Sequence, residues 1–188
     1  MTIEKHPFTP FLPAGAKVLM LGTFPPKSTR WTMDFYYPNF INDMWRIVGL
    51  VFCNDKDRFV RGRSFDQEAI MSFCTEKGIA LYDTASEIRR LKDNASDKFL
   101  DIVTPTDTAQ LLRQLPKCRA IVATGAKAAE VLCETFACPL PRMGEYSVFT
   151  FEKRELRLYR LPSSSRAYPL ALEKKAAYYS RMFSEIIP

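Results

Sequence analysis

The sequence predicts an α/β protein in which a central sheet lies between helices. Short apolar runs indicate buried strands at residues 17–21, 79–82 and 120–124. Segments with helical spacing separate these runs, and strands that alternate with helices usually form a parallel sheet. The length of 188 residues and the 47% hydrophobic content suit one globular domain, residues 1–188. We therefore expect a three-layer α/β/α sandwich with a central, mostly parallel sheet of roughly four to five strands.

Helices are predicted where apolar residues recur every three to four positions between capping residues. The first spans residues 42–52, with Asn39 or Asn42 as its cap, and the others span residues 65–77, 106–115, 125–136 and 169–187, with Pro169 in the first turn of the last. Residues 85–90 predict a helical turn, and the polar residues 93–102 predict a surface excursion. Residues 146–151 and 156–161 alternate as the strands of a hairpin.

Composition narrows the possible functions. Lys and Arg number 27 against 21 Asp and Glu, and the net charge of +6 favours an anionic partner such as nucleic acid, although solubility alone explains it equally well. The five cysteines are irregularly spaced and predict free thiols in a reducing cytoplasm, not a metal site. A signal peptide and a membrane span are not expected, because no apolar stretch is long enough. His6 is the only histidine, so catalysis based on histidine is not expected.

Three segments are expected to meet at the carboxyl edge of the predicted sheet, where open α/β sheets bind ligands. They are residues 22–45, Asp83 with Thr84, and residues 161–166. The first contains a cluster of aromatic rings, and rings stack on flat ligands such as nucleic-acid bases. The pattern therefore predicts a pocket for a planar ring.

Each candidate residue has a functional and a structural interpretation. Tyr37 can form a pocket wall or pack in the core, and Asn42 can act in catalysis or only cap a helix. Asp83 can read the edge of a base or cap the turn predicted at residues 85–90. The alternatives stay open at the level of sequence.

The segment LPSSSR, residues 161–166, predicts a polar loop before the last helix. Hydroxyl groups and an arginine can bind phosphate oxygens, but Ser and Pro are also ordinary turn residues. The basic residues within 89–92 and at 174–175 are interpreted as solvated faces, because charge runs usually are. GAKAAE at residues 125–130 lacks the spacing of a phosphate-binding loop.

Taken together, these motifs resemble the uracil-DNA glycosylase superfamily, most closely its hypoxanthine-DNA glycosylase-like branch. GTFPP at residues 22–26 and YYPNFINDMW at residues 36–45 are similar to that branch's GSLPG and YYxHPxNxFW, in order and spacing. LPSSSRA at residues 161–167 stands where a second motif like LPSTSPA is expected, and GIALYD at residues 78–83 is also similar. The resemblance covers nearly the whole chain.

The resemblance implies a DNA glycosylase that removes uracil, hypoxanthine or xanthine from double- or single-stranded DNA. It implies no metal and no organic cofactor, and a monomer is expected for a protein that scans DNA. The roles that it implies are catalysis by Asn42, base binding by Tyr37, Asp83, Phe24 and Thr23, and DNA binding by Ser163, Ser164, Ser165 and Arg166.

The chain departs from the pattern of the superfamily at several positions. Phe24 stands where several branches have a catalytic Asp or Asn, and Pro26 replaces a glycine. Asn39 and Phe40 replace a His-Pro pair, and Leu161 stands where many relatives have His. Two other functions therefore stay open: an inactive, DNA-binding relative of the same fold, and a nucleotide- or small-molecule-binding α/β module without a role on DNA.

Overall fold

A computed structural model describes residues 2–92 and 96–188. Within these ranges the chain forms ten strands and five α-helices. The strands are β1 (Ile3–Lys5), β2 (Val18–Gly22), β3 (Val60–Arg61), β4 (Ser64–Phe65), β5 (Ile79–Asp83), β6 (Ala85–Arg90), β7 (Leu100–Pro105), β8 (Ala120–Ala123), β9 (Tyr146–Phe151) and β10 (Arg154–Arg160). The helices are α1 (Met44–Cys53), α2 (Gln67–Lys77), α3 (Thr108–Arg113), α4 (Ala126–Phe136) and α5 (Leu172–Ile186).

The largest sheet in the described part of the chain has five strands in the order β5-β2-β8-β10-β9. Its first four strands are parallel, and β9 pairs antiparallel with β10. Strands β2, β5 and β8 are buried along their whole length, as expected for parallel strands covered on both faces. The predicted central, mostly parallel sheet is therefore confirmed, and so is the hairpin of β9 and β10.

Helices cover this sheet through their apolar faces. Helix α4 packs against β8 and β10, α2 packs against β5, and α1 packs against α5. Helix α2 ends as its sequence predicts, because Gly78 adopts φ of 75°. It begins at Gln67, where Asp66 accepts a hydrogen bond from the Ala69 N–H. None of the helices that the structure describes is long and apolar enough to cross a membrane.

The prediction of a helical turn at residues 85–90 is wrong, because these residues form strand β6 between β1 and β7. The register of β6 against β7 shifts between Ala85 and Ile88, as at a β-bulge. A bulge adds a residue to one strand, so Ala85 and Ile88 both face inward although they are three positions apart. Apolar residues three positions apart are typical of a helix, which is why the sequence pattern predicts a helical turn here.

The prediction of a surface excursion at residues 93–102 is also wrong where it can be compared. Residues 97–99 form a 3-10 turn, and β7 starts at Leu100. Strand β7 has the sequence LDIVTP, and only Leu100 is fully buried, so apolar and polar residues do not alternate as they do in a half-buried strand. The part of the prediction that falls on residues 93–95 lies outside the described residues.

The helices begin one to three residues later than predicted. Helix α1 begins at Met44 with Asp43 as its N-cap, and α5 begins at Leu172, so Pro169 lies before the helix. Helix α3 is shorter than predicted and is capped by the Asp107 carboxylate, which accepts from the Gln110 N–H at 2.9 Å. Helix ends depend on which side chain supplies the capping bond, which periodicity does not encode.

Candidate active site

The parallel strands of the central sheet end around a cavity of about 440 Å³. Gly22 pairs with Asp83 across β2 and β5, and Leu21 pairs with Ala123 across β2 and β8, so these strand ends share one edge. The cavity size is within the roughly 300–1,000 Å³ that is typical of small-molecule sites. Every site residue proposed from the sequence lines this cavity: Thr23, Phe24, Tyr37, Asn42, Asp83, Ser163, Ser164, Ser165 and Arg166.

Asp83 is held closely against the end of β2. A Cβ atom at Gly22 would lie 2.6 Å from Asp83 Oδ1, so only glycine allows this approach. The Asp83 carbonyl accepts a hydrogen bond from Thr106 Oγ1 at 2.7 Å. With no helix at residues 85–90, Asp83 is not a helix cap, and its carboxyl group is left for the cavity.

His6 pairs with Asp83, which sequence analysis did not anticipate. Strand β1 pairs with β6 and delivers His6 to the site, where Nε2 lies 2.8 Å from Asp83 Oδ2. The Phe8 N–H lies 3.1 Å from His6 Nδ1. His6 Nδ1 also lies 3.0 Å from the Phe8 carbonyl oxygen, so both ring nitrogens have polar neighbours. No local signal could have found this pair, since the two residues are 77 positions apart.

Asp97 contributes a second carboxyl group to the cavity, which sequence analysis did not anticipate either. Thr23 Oγ1 donates a hydrogen bond to Asp97 Oδ2 at 2.7 Å, and Asp97 lines the cavity. Lys127 of α4 donates to the carbonyl groups of Asp97 and Leu100 and so fixes the turn. Burial raises the pKa of the Asp97 carboxyl group above its usual range. We call Thr23, Asp83 and Asp97 the carboxylate wall.

Tyr37 lines the same cavity with an unusual backbone conformation. Its φ of 55° is in the left-handed region, which is rare for an aromatic residue and common at functional sites. Its ring meets the Trp45 ring edge to face at 5.9 Å, and its hydroxyl lies 3.0 Å from Thr124 Oγ1. Burial raises the pKa of the Tyr37 hydroxyl, which therefore stays protonated at neutral pH. The ring is thus held in place while it faces the cavity.

Asn42 makes a turn directly before α1 and lines the cavity. Its Oδ1 accepts a hydrogen bond from the Met44 N–H at 2.9 Å, which fixes the orientation of the amide. Among the residues that the structure describes, none accepts a hydrogen bond from the amide nitrogen of Asn42. The expectation that Asn39 or Asn42 is the N-cap is wrong, because Asp43 takes that position. Asn42 is half-buried and lines the cavity.

Asp43 joins α1 to the loop at residues 161–167. Its Oδ1 accepts from Arg166 Nε at 3.0 Å, and its Oδ2 accepts from Lys175 Nζ at 3.1 Å. Lys175 is fully buried and also donates to the Ser165 carbonyl at 2.8 Å. The interpretation of residues 174–175 as a solvated face is therefore wrong for Lys175. We call Asn42 and residues 163–166 the loop wall.

The serines of the loop make local turn bonds as well as lining the cavity. Ser163 Oγ accepts from the Ser165 N–H, and Ser165 Oγ accepts from the Ala167 N–H, each at 3.2 Å. Tyr179 of α5 donates to the Pro162 carbonyl at 2.9 Å. The hydroxyl hydrogens of Ser163 and Ser165 remain able to donate to a ligand.

Two of the positions that depart from the superfamily pattern, Phe24 and Leu161, are explained by their surroundings. Phe24 packs against Ala85, Ile88 and Leu100 of the second sheet, which consists of β1, β6 and β7. Its ring meets the His6 ring edge to face at 5.2 Å. Leu161 is fully buried in the main core. Both positions are therefore apolar because they face apolar neighbours.

The mouth of the cavity is basic. Arg30, Arg90 and Arg166 line it, and Arg30 makes no ion pair with any residue that the structure describes. Arg90 is buried in a two-bond pair with Glu4, at 3.1 and 3.0 Å, so residues 89–92 are not uniformly a solvated face. Within residues 2–92 and 96–188, no group of three or more potential metal ligands is found.

Comparisons with known proteins show the fold. No family profile matches the chain, and no curated protein matches it significantly. Among solved structures, the chain is similar to a protein of Methanosarcina acetivorans that is described as a proposed uracil DNA glycosylase and was determined by solution NMR. The two chains are 22% identical, with a TM-score of 0.67 and coverage of 98% of this chain and 99% of that chain. The predicted uracil-DNA glycosylase-like α/β/α fold is confirmed.

Proposed function

We propose that the protein is a DNA glycosylase that hydrolyses the N-glycosidic bond of a deaminated base in DNA. The observation that carries the proposal is the convergence of an aromatic ring, a carboxylate, an amide and a polar loop on one cavity from distant parts of the chain. A uracil-DNA glycosylase-like fold supports the same reaction class. Membership of the hypoxanthine-DNA glycosylase-like branch stays a prediction.

The base has to leave the duplex before it can enter this cavity. Flipping a nucleotide out of the duplex costs a few kcal/mol. Stacking of the flipped base on an aromatic ring stabilises the flipped state by about 1–3 kcal/mol. Tyr37 supplies that ring, and its fixed hydroxyl limits the entropy that stacking would cost. Arg30 and Arg166 at the mouth can neutralise phosphates on either side of the flipped nucleotide.

Asp83 suits a base that has lost an amino group. Uracil and hypoxanthine carry a ring N–H where their parent bases, cytosine and adenine, have only a lone pair. Xanthine has N1–H in common with its parent base, guanine, and gains a ring N–H at N3. A carboxylate accepts hydrogen bonds and cannot donate one, so it favours the deaminated form. His6 Nε2 lies 2.8 Å from Asp83 Oδ2, which fixes the orientation of the carboxyl group in the cavity.

Asn42 is suited to hold the attacking water. Its Oδ1 uses one lone pair on the Met44 N–H and keeps a second for a water proton. An amide is too weak a base to remove that proton, so its contribution is orientation. As the bond to the base breaks, the sugar carbon C1′ becomes positive, and the DNA phosphates stabilise this charge.

The test is release of the base from DNA. The protein is incubated with oligonucleotides that contain one uracil, hypoxanthine or xanthine, single-stranded or paired, and alkali then cleaves the abasic sites. Cleavage at any of these bases supports the proposal, and undamaged DNA is the control. If the protein binds DNA in a salt-dependent way but releases no base, the inactive DNA-binding relative is correct. If it neither binds DNA nor releases a base, the small-molecule module replaces both.

A further inference from the structure

We infer that Asp97 is the general base of this reaction, taking the proton from the attacking water that Asn42 orients. The inference rests on the proposed function and assigns a residue outside every motif of the sequence. Phe24 cannot take up a proton, although it stands where several branches of the superfamily have a catalytic Asp or Asn. Asp97 would supply the missing carboxyl group. The carboxyl group comes here from the turn before β7 instead of from the end of β2.

The geometry brings Asp97 to the same place as the first motif. Thr23, which directly precedes Phe24, donates to Asp97 Oδ2 at 2.7 Å. Asp97 lines the cavity together with Tyr37 and Asn42. Lys127 bonds to the Asp97 carbonyl and not to its carboxyl group, so the second carboxyl oxygen has no protein partner among the described residues. That oxygen is available to a water.

The electrostatic surroundings of Asp97 suit a base that acts near neutral pH. The charged groups that act on it are Asp83, Lys127 and Arg90. Burial is the largest influence and raises the pKa of Asp97, Asp83 raises it further, and the hydrogen bond from Thr23 and the two cations lower it. A base is most effective when its pKa lies near the working pH, so a raised carboxyl pKa favours proton removal.

The step balances without any further reactant. The water oxygen forms a bond to C1′ while the C1′–N bond breaks, and the electron pair of that bond leaves with the base. The water proton passes to the Asp97 carboxylate and from there to solvent. The departing base anion takes a proton from solvent, which leaves an abasic sugar and a free base.

The experiment compares Asp97→Asn with Asp101→Asn in single-turnover base release. Asp101 lies four positions further on, in β7, but is exposed and pairs with Arg89 at 3.3 Å, so it is a matched control. We expect Asp97→Asn to release the base roughly 100- to 1,000-fold more slowly, the size of a lost general base. Asp101→Asn should match the wild type, and DNA binding should be preserved in both.

The pH profile separates a base from a residue that only shapes the cavity. The rate of base release by the wild type should fall as the pH is lowered through the raised pKa of Asp97. This acid limb of the pH profile should be missing from the residual activity of Asp97→Asn. Thr23→Val removes a hydrogen bond that lowers the Asp97 pKa, so it should move the limb to higher pH. Asp97→Asn that stays within threefold of the wild type, or that keeps the limb, overturns the inference. A wild type that releases no base overturns the proposed function and the inference together.

Stability offers a second readout that does not depend on activity. The folded-state pKa of Asp97 is raised, so the folded protein binds a proton more tightly than the unfolded chain does. Ionisation therefore destabilises the fold as the pH rises from the unfolded pKa through the folded one. We expect Asp97→Asn to be more stable than the wild type at neutral pH, and this advantage to vanish in acid. An equal difference at every pH, measured by urea unfolding, contradicts the raised pKa.

Discussion

The carboxylate wall and the loop wall line one cavity but are held there in different ways. The carboxylate wall depends on the second sheet, in which β1 carries His6 to Asp83 and β7 follows the turn that contains Asp97. The loop wall depends on one buried ion cluster, in which Asp43 joins Arg166 and Lys175. One wall is positioned by strand pairing, and the other is positioned by charge.

This difference predicts how each wall fails. Strand pairing distributes its free energy over many backbone hydrogen bonds, so one side-chain change should alter the chemistry of the carboxylate wall without displacing it. A buried cluster concentrates its free energy in few atoms, because each unpaired buried charge is costly. One change there should displace the whole loop. The predictions below test this contrast, beginning with the largest expected effect.

Lys175→Met should have the largest effect. It leaves the buried Asp43 carboxylate with the half-exposed Arg166 as its ion-pair partner, so the loss should fall below the cost of a fully unpaired buried charge, at about 2–3 kcal/mol. Urea unfolding should show a loss of this size together with loss of base release. The matched control is Lys174→Met, an exposed neighbour that should change the free energy of unfolding by no more than about 0.5 kcal/mol. Equal effects of the two substitutions would show that the cluster does not hold the loop.

Asn42→Ala should slow base release about 100-fold, the scale of a lost orienting contact, while DNA affinity changes little. Asn42 also holds the turn before α1, so the variant loses roughly 1 kcal/mol of stability as well. Asn42→Ser separates the two roles, because a serine hydroxyl can make the same turn but offers no amide. If release recovers in Asn42→Ser, Asn42 shapes the turn and is not a catalytic residue.

His6→Phe should weaken the carboxylate wall without unfolding it. The variant keeps an aromatic ring but removes the donor to Asp83, and losing one partner of a buried hydrogen bond costs about 1–3 kcal/mol. We expect slower release that arises mainly from weaker binding of the flipped base, measured as a raised KM for a short oligonucleotide. His6→Asn restores a donor and should recover part of the loss. A wild-type KM in His6→Phe would show that Asp83 does not need its partner.

Arg30→Gln should have the smallest effect. Arg30 is exposed at the mouth of the cavity, so it should contribute about one unit to the dependence of log affinity on log salt. Arg63→Gln removes the same charge at an exposed position outside the cavity lining and should leave the slope unchanged. Equal slopes for both variants, measured by titration of labelled DNA, would mean that DNA does not pass over this mouth.

Local sequence was sufficient for the central sheet and for the loop wall. The buried strands are continuous apolar runs, and Asn42 and residues 163–166 stand in motifs whose order along the chain is informative. Each of these signals lies within a few residues. Local periodicity gave the wrong prediction for β6. Its β-bulge places inward-facing residues three positions apart, which is also the spacing of a helix.

The sequence by itself determined the α/β class, the edge of the sheet where the cavity lies, and the residues that stand in motifs. Only the tertiary structure decided the partners of those residues. His6 and Asp83 are 77 positions apart, Thr23 and Asp97 are 74 apart, and Asp43 and Lys175 are 132 apart. The physical reason is that periodicity and capping act between near neighbours, whereas these contacts exist only after strand order has brought distant segments together.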